Sequence, residues 1–315
     1  MRKKQIDIAL ASDHAYAPQL EACVISILAH NKNNIVCFKI LDNGMEEEDI
    51  IGLSETIQKE GGLFQVYDVK NIEQRMGFLP PLFQNSLGAY CRIFLPELLP
   101  ENDKVLYLDC DIIVRDDLGK MWETDIKEYY VGACKDVVPV KHKQDIGLKE
   151  EDLYINSGML LINLDLWRKD QITQKIVKYI ANSRNTINLP DQDAINIVCR
   201  KIMILEAKYN VISPIFLMPY ANIIGYFNVK NYYSKEEIKR AKSEPCIIHF
   251  TGYPDARPWE KNCHHPLKRV FWEYQKKGNL SLKECDGMRN KGIRRKLRFI
   301  KFRFFPYALY DKIRR

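Results

Sequence analysis

Apolar positions along the chain recur with two periods. Ile6-Asp-Ile-Ala-Leu-Ala-Ser12 is a short apolar run that closes on small and polar residues, and residues 34–41 and 63–69 are runs of the same kind; each predicts a strand. Between them, Leu20, Cys23, Val24, Ile27 and Leu28 recur at helical spacing over residues 18–30, and residues 46–59 predict a second helix. This β-α-β-α-β order implies a parallel sheet with helices on both faces. Strands are predicted over 103–109, 130–134 and 158–163, with helical spacing from there to Ala181. A further helix covers 191–200, entered through Pro190. Residues 202–245 have weak periodicity and many Tyr and Asn, so no order of elements is read there. Residues 245–250 return to a strand. The fold class is α/β, with a mainly parallel central sheet.

Composition narrows the class without changing that picture. The 315 residues are 46% hydrophobic and 28% charged, with sparse Gly (15) and Pro (14), which excludes disordered and collagen-like chains. No apolar run approaches the roughly 18 residues of a membrane-spanning helix, and the basic start Met1-Arg-Lys-Lys has no apolar run behind it to make a secretory signal. The nine cysteines are scattered and form no C-x-x-C pair, which suits buried thiols in a reducing compartment. A cytoplasmic location is expected.

The net charge of +7 conceals two unlike parts. Residues 289–315 hold eleven Lys/Arg and one acid, whereas the rest of the chain carries 37 basic and 40 acidic residues. A mildly acidic body, residues 1–270, is therefore expected to precede a helical basic region, 271–315.

The glycine cradles that bind nucleotide phosphates are missing: there is no G-x-G-x-x-G after the first strand and no G-x-x-x-x-G-K-[ST]. The strongest chemical signal is Val105-Leu-Tyr-Leu-Asp109-Cys110-Asp111-Ile-Ile-Val114, two carboxylates where an apolar strand ends. Ligands of open α/β sheets bind at such carboxyl ends. Carboxylates this close need a cation or hydrogen bonds, and a hard divalent ion could serve them while also holding a diphosphate. His249, ending a strand before Phe-Thr-Gly252, is a candidate third ligand. A rival zinc site from Cys246, His249, Cys263 and His264 or His265 is weak, because positions 246 and 249 of one strand point to opposite faces. Asn156-Ser-Gly lacks the context of a nucleophilic serine, and Glu46-Glu-Glu-Asp49 reads as a solvated helix start.

Taken together, these stretches resemble the bacterial members of glycosyltransferase family 8. The resemblance is carried by residues 9–16, Ala89-Tyr-Cys-Arg-Ile93, residues 104–115, Val131-Gly-Ala-Cys-Lys-Asp136, residues 154–164, Pro190-Asp-Gln-Asp193, His249-Phe-Thr-Gly252 and Arg257-Pro-Trp259, in family order. It implies a GT-A-type fold, a UDP-hexose donor (galactose or glucose), Mn2+ or Mg2+, and retention at the anomeric carbon. By the same resemblance, Asp109, Asp111 and His249 are the metal ligands, and Ala11 and Asp13 hold the uracil and ribose. Arg92, Asp136, Asn156, Asp191 and Gln192 line the donor sugar, and Gly252 and Arg257 contact the diphosphate. Asp191 and Gln192 are expected to carry catalysis. Gln192 falls nearest the nucleophile's place, but a neutral amide is a poor nucleophile, so front-face attack is favoured. The sequence departs from the family at Ala15, where relatives often place Asn, and at Arg257, where they usually have Lys, with two extra residues after Gly252.

The basic region has its own pattern. Ile293, Leu297, Ile300 and Phe304 follow helical spacing with Arg294, Arg295, Arg298 and Lys301 between them, which suits an interfacial helix on an anionic membrane. The expected partners are thus a UDP-hexose, a glycan or glycolipid acceptor of surface glycan or lipopolysaccharide synthesis, and the inner face of the cell membrane. Alternatives are a charged helix packed on the body, nucleic-acid binding through the tail (disfavoured by the acidic body), and a metal-dependent nucleotidyl- or phosphotransferase. Since the candidate catalytic residues end by Arg257, removal of the tail is expected to leave donor hydrolysis nearly unchanged.

Overall fold

Alternation along two central strands explains how the body is layered. In β1 (Lys4–Ser12), Ile6, Ile8 and Leu10 enter one apolar cluster and Ala9 the other. After β2 (Asn34–Asp42) and β3 (Leu63–Asp68), β4 (Lys104–Leu108) divides the same way, with Leu106 and Leu108 on one side and Val105 and Tyr107 opposite. Strands buried on both faces read as continuous apolar runs, which is why these were visible in the sequence. The structure, a computed structural model, describes residues 3–81, 87–183, 188–286 and 293–309.

The remaining strands are β5 (Ile112–Val114), β6 (Val131–Lys135), β7 (Ile155–Asn163), β8 (Ile202–Ile204), β9 (Val211–Ile212) and β10 (Ile247–His249). Among the described residues, seven form one sheet in the order β3-β2-β1-β4-β7-β6-β8, and three form a small sheet, β5-β10-β9. The run β3-β2-β1-β4 is parallel, as expected. β7, however, runs antiparallel to both its neighbours, with Leu108 opposite Met159. Its first half therefore lies beside the carboxyl end of β4.

Helices at Ala17–His30 and Glu47–Lys59 cover one face, close to their predicted bounds. Helices Ile172–Ser183 and Pro190–Val198 belong to the opposite layer. The weakly patterned region resolves into β8, β9 and helices Ser213–Leu217, Tyr220–Phe227 and Lys235–Ser243. A helix at Lys268–Gln275 packs Phe271 into the core.

One buried acid ties the chain's later part to its beginning. Glu21, on the first helix, accepts hydrogen bonds from Thr56 Oγ1 (2.6 Å) and from the backbone N–H groups of Asn279 and Leu280 (2.8 Å each). Gly278 passes so close that a Cβ there would meet the Glu21 carboxylate. Glu21→Ala removes the acceptor from these donors and should cost about 2–3 kcal/mol, the scale of leaving buried polar groups unpaired. Urea unfolding checks this, with Glu21→Gln expected to retain part of the stability.

Candidate active site

The register of β1, β4 and β7 assembles the site. β1 and β4 run parallel, so Ala11 and Asp109 leave the sheet side by side, and the Asp109 N–H donates to the Gly158 carbonyl of β7 (2.8 Å). β5 then pairs antiparallel with β10, which sets Ile112 opposite His249. The short second sheet thus brings His249 back to the two aspartates that precede β5.

Ligand atoms of Asp109, Asp111 and His249 all lie within 4.8 Å of one another, and no other such group of three occurs among the described residues. His249 Nε2 is 2.9 Å from Asp111 Oδ1 and 3.9 Å from Asp109 Oδ2. Its other nitrogen, Nδ1, is 2.9 Å from Asn210 Oδ1, and Asn210 Nδ2 donates to Asn156 Oδ1 at 2.9 Å. That chain orients the Asn210 amide and makes Nδ1 a protonated nitrogen, so that Nε2 faces the carboxylates. There Nε2 donates its proton to Asp111, and it can give up that proton and offer its lone pair to a bound ion. Gly158 completes the cradle: a Cβ there would run into His249 and Asp109. Two carboxylate oxygens and one imidazole nitrogen, with room kept open by a glycine, fit a divalent ion of the manganese or magnesium kind.

The zinc alternative does not assemble. Cys263 Sγ donates to the Ala256 carbonyl (3.1 Å), His264 engages Asp255, and His265 packs between Phe216 and Phe250.

Cations surround the acids. Burial would raise the Asp111 carboxyl, but His249 and Arg257, whose Nε lies 3.0 Å from Asp111 Oδ2, hold it well below the usual range. Arg92 is buried, and its guanidinium reaches Asp109 (2.9 Å) and Asp191 (3.4 Å), donates to the Ser157 carbonyl and rests on the Tyr107 ring. Burial pushes the Asp191 carboxyl above its ordinary value against the pull of Arg92.

The predicted residues fall on two sides of this centre. Ala11, Asp13, Arg92, Asp109, Asp111 and Arg257 line a cleft of about 130 Å³ with Tyr16 and Cys110. Here Asp13 Oδ1 caps a short turn by accepting from the Tyr16 N–H, and the Cys110 thiol donates to the Ala11 carbonyl. On the other side, a cleft of about 390 Å³ is lined by Asp136, Asn156, Asp191, Gln192, His249 and Gly252, among others. Asp136 Oδ2 accepts from Asn156 Nδ2 (2.9 Å) and Gln192 Nε2 (3.0 Å), while Gln192 Oε1 accepts from the Ser157 N–H (2.9 Å). Asn196, fully buried, bonds both backbone groups of Ile155 and so pins helix Pro190–Val198 to β7.

Several contributors were not singled out in the sequence. Asn210 lies in the unpatterned segment. Tyr107 was read only as part of a buried strand. Ser157, set aside as a nucleophile, positions the acids by donating to Asp191 (3.1 Å). Tyr154 and His142 meet the buried Asp193 carboxylate at 2.5 and 2.7 Å. A polar residue inside an apolar strand run, such as Ser157, was the one available signal.

The fold and the metal-fitting group at its carboxyl edge are those of a glycosyltransferase. The galactosyltransferase LgtC, solved with donor and acceptor sugar analogues, superposes with a TM-score of 0.75 at 26% identity, covering 89% of this chain and 98% of that one. A putative glycosyltransferase of Haemophilus influenzae is 30% identical over 297 residues, 89% of this chain and 79% of that protein. A lipopolysaccharide 1,2-glucosyltransferase of Escherichia coli is 26% identical over 264 residues, 82% of this chain and 74% of that protein. The description of glycosyl transferase family 8 matches residues 7–263, and the chain belongs to that family.

Asn210→Ala frees His249 to rotate and should weaken divalent-ion binding about 10- to 100-fold, the scale of losing such a supporting hydrogen bond. Titration with Mn2+ followed by electron paramagnetic resonance measures it, with Asp111→Ala as the reference lacking the site.

Proposed function

We propose that the protein transfers a hexose from a UDP-sugar, with retention, to a hydroxyl of a surface saccharide such as lipopolysaccharide. The observation that carries this reading is the order of chemistry along the cleft. A backbone-and-acid pocket at Ala11 and Asp13 suits a nucleoside, the Asp109–Asp111–His249 group beside Arg257 suits a diphosphate, and the hydrogen-bonding array of Asp136, Asn156 and Gln192 suits a sugar. The galactosyl- and glucosyltransferase relatives support a hexose donor and, for one of them, a lipopolysaccharide acceptor.

A bound Mn2+ or Mg2+ would neutralise the charge that gathers on the departing diphosphate. The chain's own groups do the rest. Arg257, beside Asp111, adds a fixed positive charge at the same place, and as an arginine it can meet two phosphate oxygens at once. Asp136 and Asn156 orient the sugar hydroxyls. Gln192 presents an amide whose oxygen already accepts from Ser157 and whose nitrogen already donates to Asp136. The Asp191 carboxylate is engaged by Arg92 and Ser157. With both groups held in this way, the acceptor hydroxyl attacks the anomeric carbon from the face the leaving phosphate vacates. The bond from that carbon to the phosphate oxygen breaks, UDP departs with the electron pair, and the departing phosphate oxygen takes the hydroxyl proton.

Incubation with UDP-galactose or UDP-glucose and Mn2+ should release UDP slowly without acceptor, and the faster donor identifies the sugar. Asp111→Ala should lower turnover about a hundredfold or more, the scale of losing a charge-stabilising group. Full activity in EDTA would remove the metal from the scheme.

The tail belongs to the same proposal. Among the described residues, no helix is long and apolar enough to cross a membrane. A helix does form at Ile293–Phe304; the remainder of the basic region, residues 287–292 and 310–315, and the side chains of residues 293–295 lie outside the described residues. Leu297, Ile300 and Phe304 are 58%, 42% and 68% exposed. Phe299 and Phe302 instead turn to the body, against His264 and Tyr226. The outward stripe, amid a strong excess of Lys and Arg, suits an anionic lipid surface on the cytoplasmic side. Replacing Leu297, Ile300 and Phe304 by Ser keeps every charge and should weaken binding to phosphatidylglycerol vesicles about tenfold or more, at about 1.5–3 kcal/mol for each fully buried large apolar side chain. RNA binding without vesicle binding would reassign the tail.

A further inference from the structure

The tail helix docks where the proposed diphosphate loop needs support. That loop leaves β10, carries Gly252 and Arg257, and continues to the helix at Lys268–Gln275. Its Pro254 carbonyl accepts from Arg298 Nε at 3.1 Å, and the Arg298 guanidinium lies 4.9 Å over the Tyr253 ring. Phe302 packs on Tyr253 (5.8 Å between ring centres), and Phe299 stacks on His264 (4.6 Å). Asp255, almost fully buried, holds His264 through its backbone N–H. The loop is therefore gripped between Arg298 and Phe299, while Gly252 and Tyr253 form part of the cleft wall.

The body is built to receive this helix. Asn222, 4% exposed, spends its amide on the tail backbone, with Nδ2 donating to the carbonyls of Phe302 (2.9 Å) and Phe305 (3.1 Å) and Oδ1 accepting from the Tyr307 N–H (3.0 Å). Tyr226 donates to the Phe305 carbonyl (3.0 Å), and Gly225 leaves room for the Tyr307 ring that a Cβ would fill. Helix Tyr220–Phe227, which makes this dock, also supplies Phe227 to the cleft.

We propose that Arg298 is a positioning residue for donor binding: by holding Tyr253–Pro254 it sets the loop so that Gly252 and Arg257 face the diphosphate. This inference rests on the reading of the cleft as a UDP-sugar site, and it reverses the expectation that the tail is dispensable for donor hydrolysis. Arg298 follows Arg257 by 41 positions in sequence, yet it touches the same loop.

The test uses the full chain and two readouts. In the ligand-free protein, Arg298→Ala should speed amide hydrogen exchange across residues 251–257 at an unchanged melting temperature. It should also weaken binding of UDP with Mn2+ about five- to tenfold by calorimetry and raise KM for the UDP-sugar by the same factor. The kcat should stay within twofold, and Arg298→Lys should recover part of the affinity. Lys296→Ala, which removes an exposed charge from the same helix, should change neither readout. Unchanged exchange in Arg298→Ala overturns the positioning role, as does faster exchange with unaltered UDP affinity. An equal loss in Lys296→Ala also overturns it, by assigning the effect to net charge. A wild-type protein that fails to bind UDP with Mn2+ would instead sink the UDP-sugar reading, leaving the exchange result to report the grip on the loop alone.

Discussion

Carboxylates gathered at a buried strand end repel one another, and the way this chain distributes counter-charge among them shapes the whole cleft. Asp111 is met by His249 and Arg257, Asp109 by Arg92 and Tyr107, Asp191 by Arg92 and Ser157, and Asp136 by two side-chain amides. Arg92 is the shared member. Its guanidinium bridges two acids from inside the protein, so its loss would leave carboxylates uncompensated, a situation that costs about 3–5 kcal/mol where a buried pair is broken. The outcome is a gradient along the cleft. The end near β1 and the small sheet gathers the metal-fitting acids with Arg257 and suits a cation with a polyanion. At the end near helix Pro190–Val198, the acids Asp136 and Asp191 are occupied by the amides of Asn156 and Gln192 and by Arg92, an array that suits neutral hydroxyls.

This arrangement depends on a topological detail. Because β7 runs against β4, its first residues, Asn156, Ser157 and Gly158, sit at the carboxyl edge of the parallel strands rather than at the far side. Asn156 then reaches Asp136 and Asn210, Ser157 reaches Asp191 and Gln192, and Gly158 supplies the space beside Asp109 and His249. A parallel β7 would have carried these residues to the opposite edge. Three consecutive residues on one reversed strand thus serve Asp136 and Asn210, the Asp191–Gln192 pair and the metal-fitting group.

The sequence made the long elements legible because burial on both faces or one face leaves a period that can be counted. β1, β2 and the helices at Ala17–His30 and Glu47–Lys59 are of this kind. Direction is not encoded in such a period, so the reversal of β7 was invisible. β5, β8 and β9 are two or three residues long, too short for any period, and β9 and β10 owe their places to pairing with distant segments. Asp109 and Asp111 stood out because two acids ending an apolar run are chemically expensive. Asn210 did not, since an asparagine among many Tyr and Asn carries no such contrast. Its role exists only through Asn156 and His249, which are remote from it in sequence.

The same contrast between composition and space applies to the tail. Charge divides the chain sharply near residue 289, and composition alone would make the basic helix a separate appendage. Packing instead gives that helix two apolar faces: Phe299 and Phe302 toward the body, and Leu297, Ile300 and Phe304 outward. A helix merely tethered to the body would need only the outward one. Nor would the body then keep a buried Asn222 whose amide is used on tail backbone, because a helix that left would strand those polar atoms in an apolar setting. The dock is therefore a structural commitment of the folded protein. Any surface that engages the outward stripe acts on a helix already joined, through Arg298 and Phe299, to the loop that carries Gly252 and Arg257.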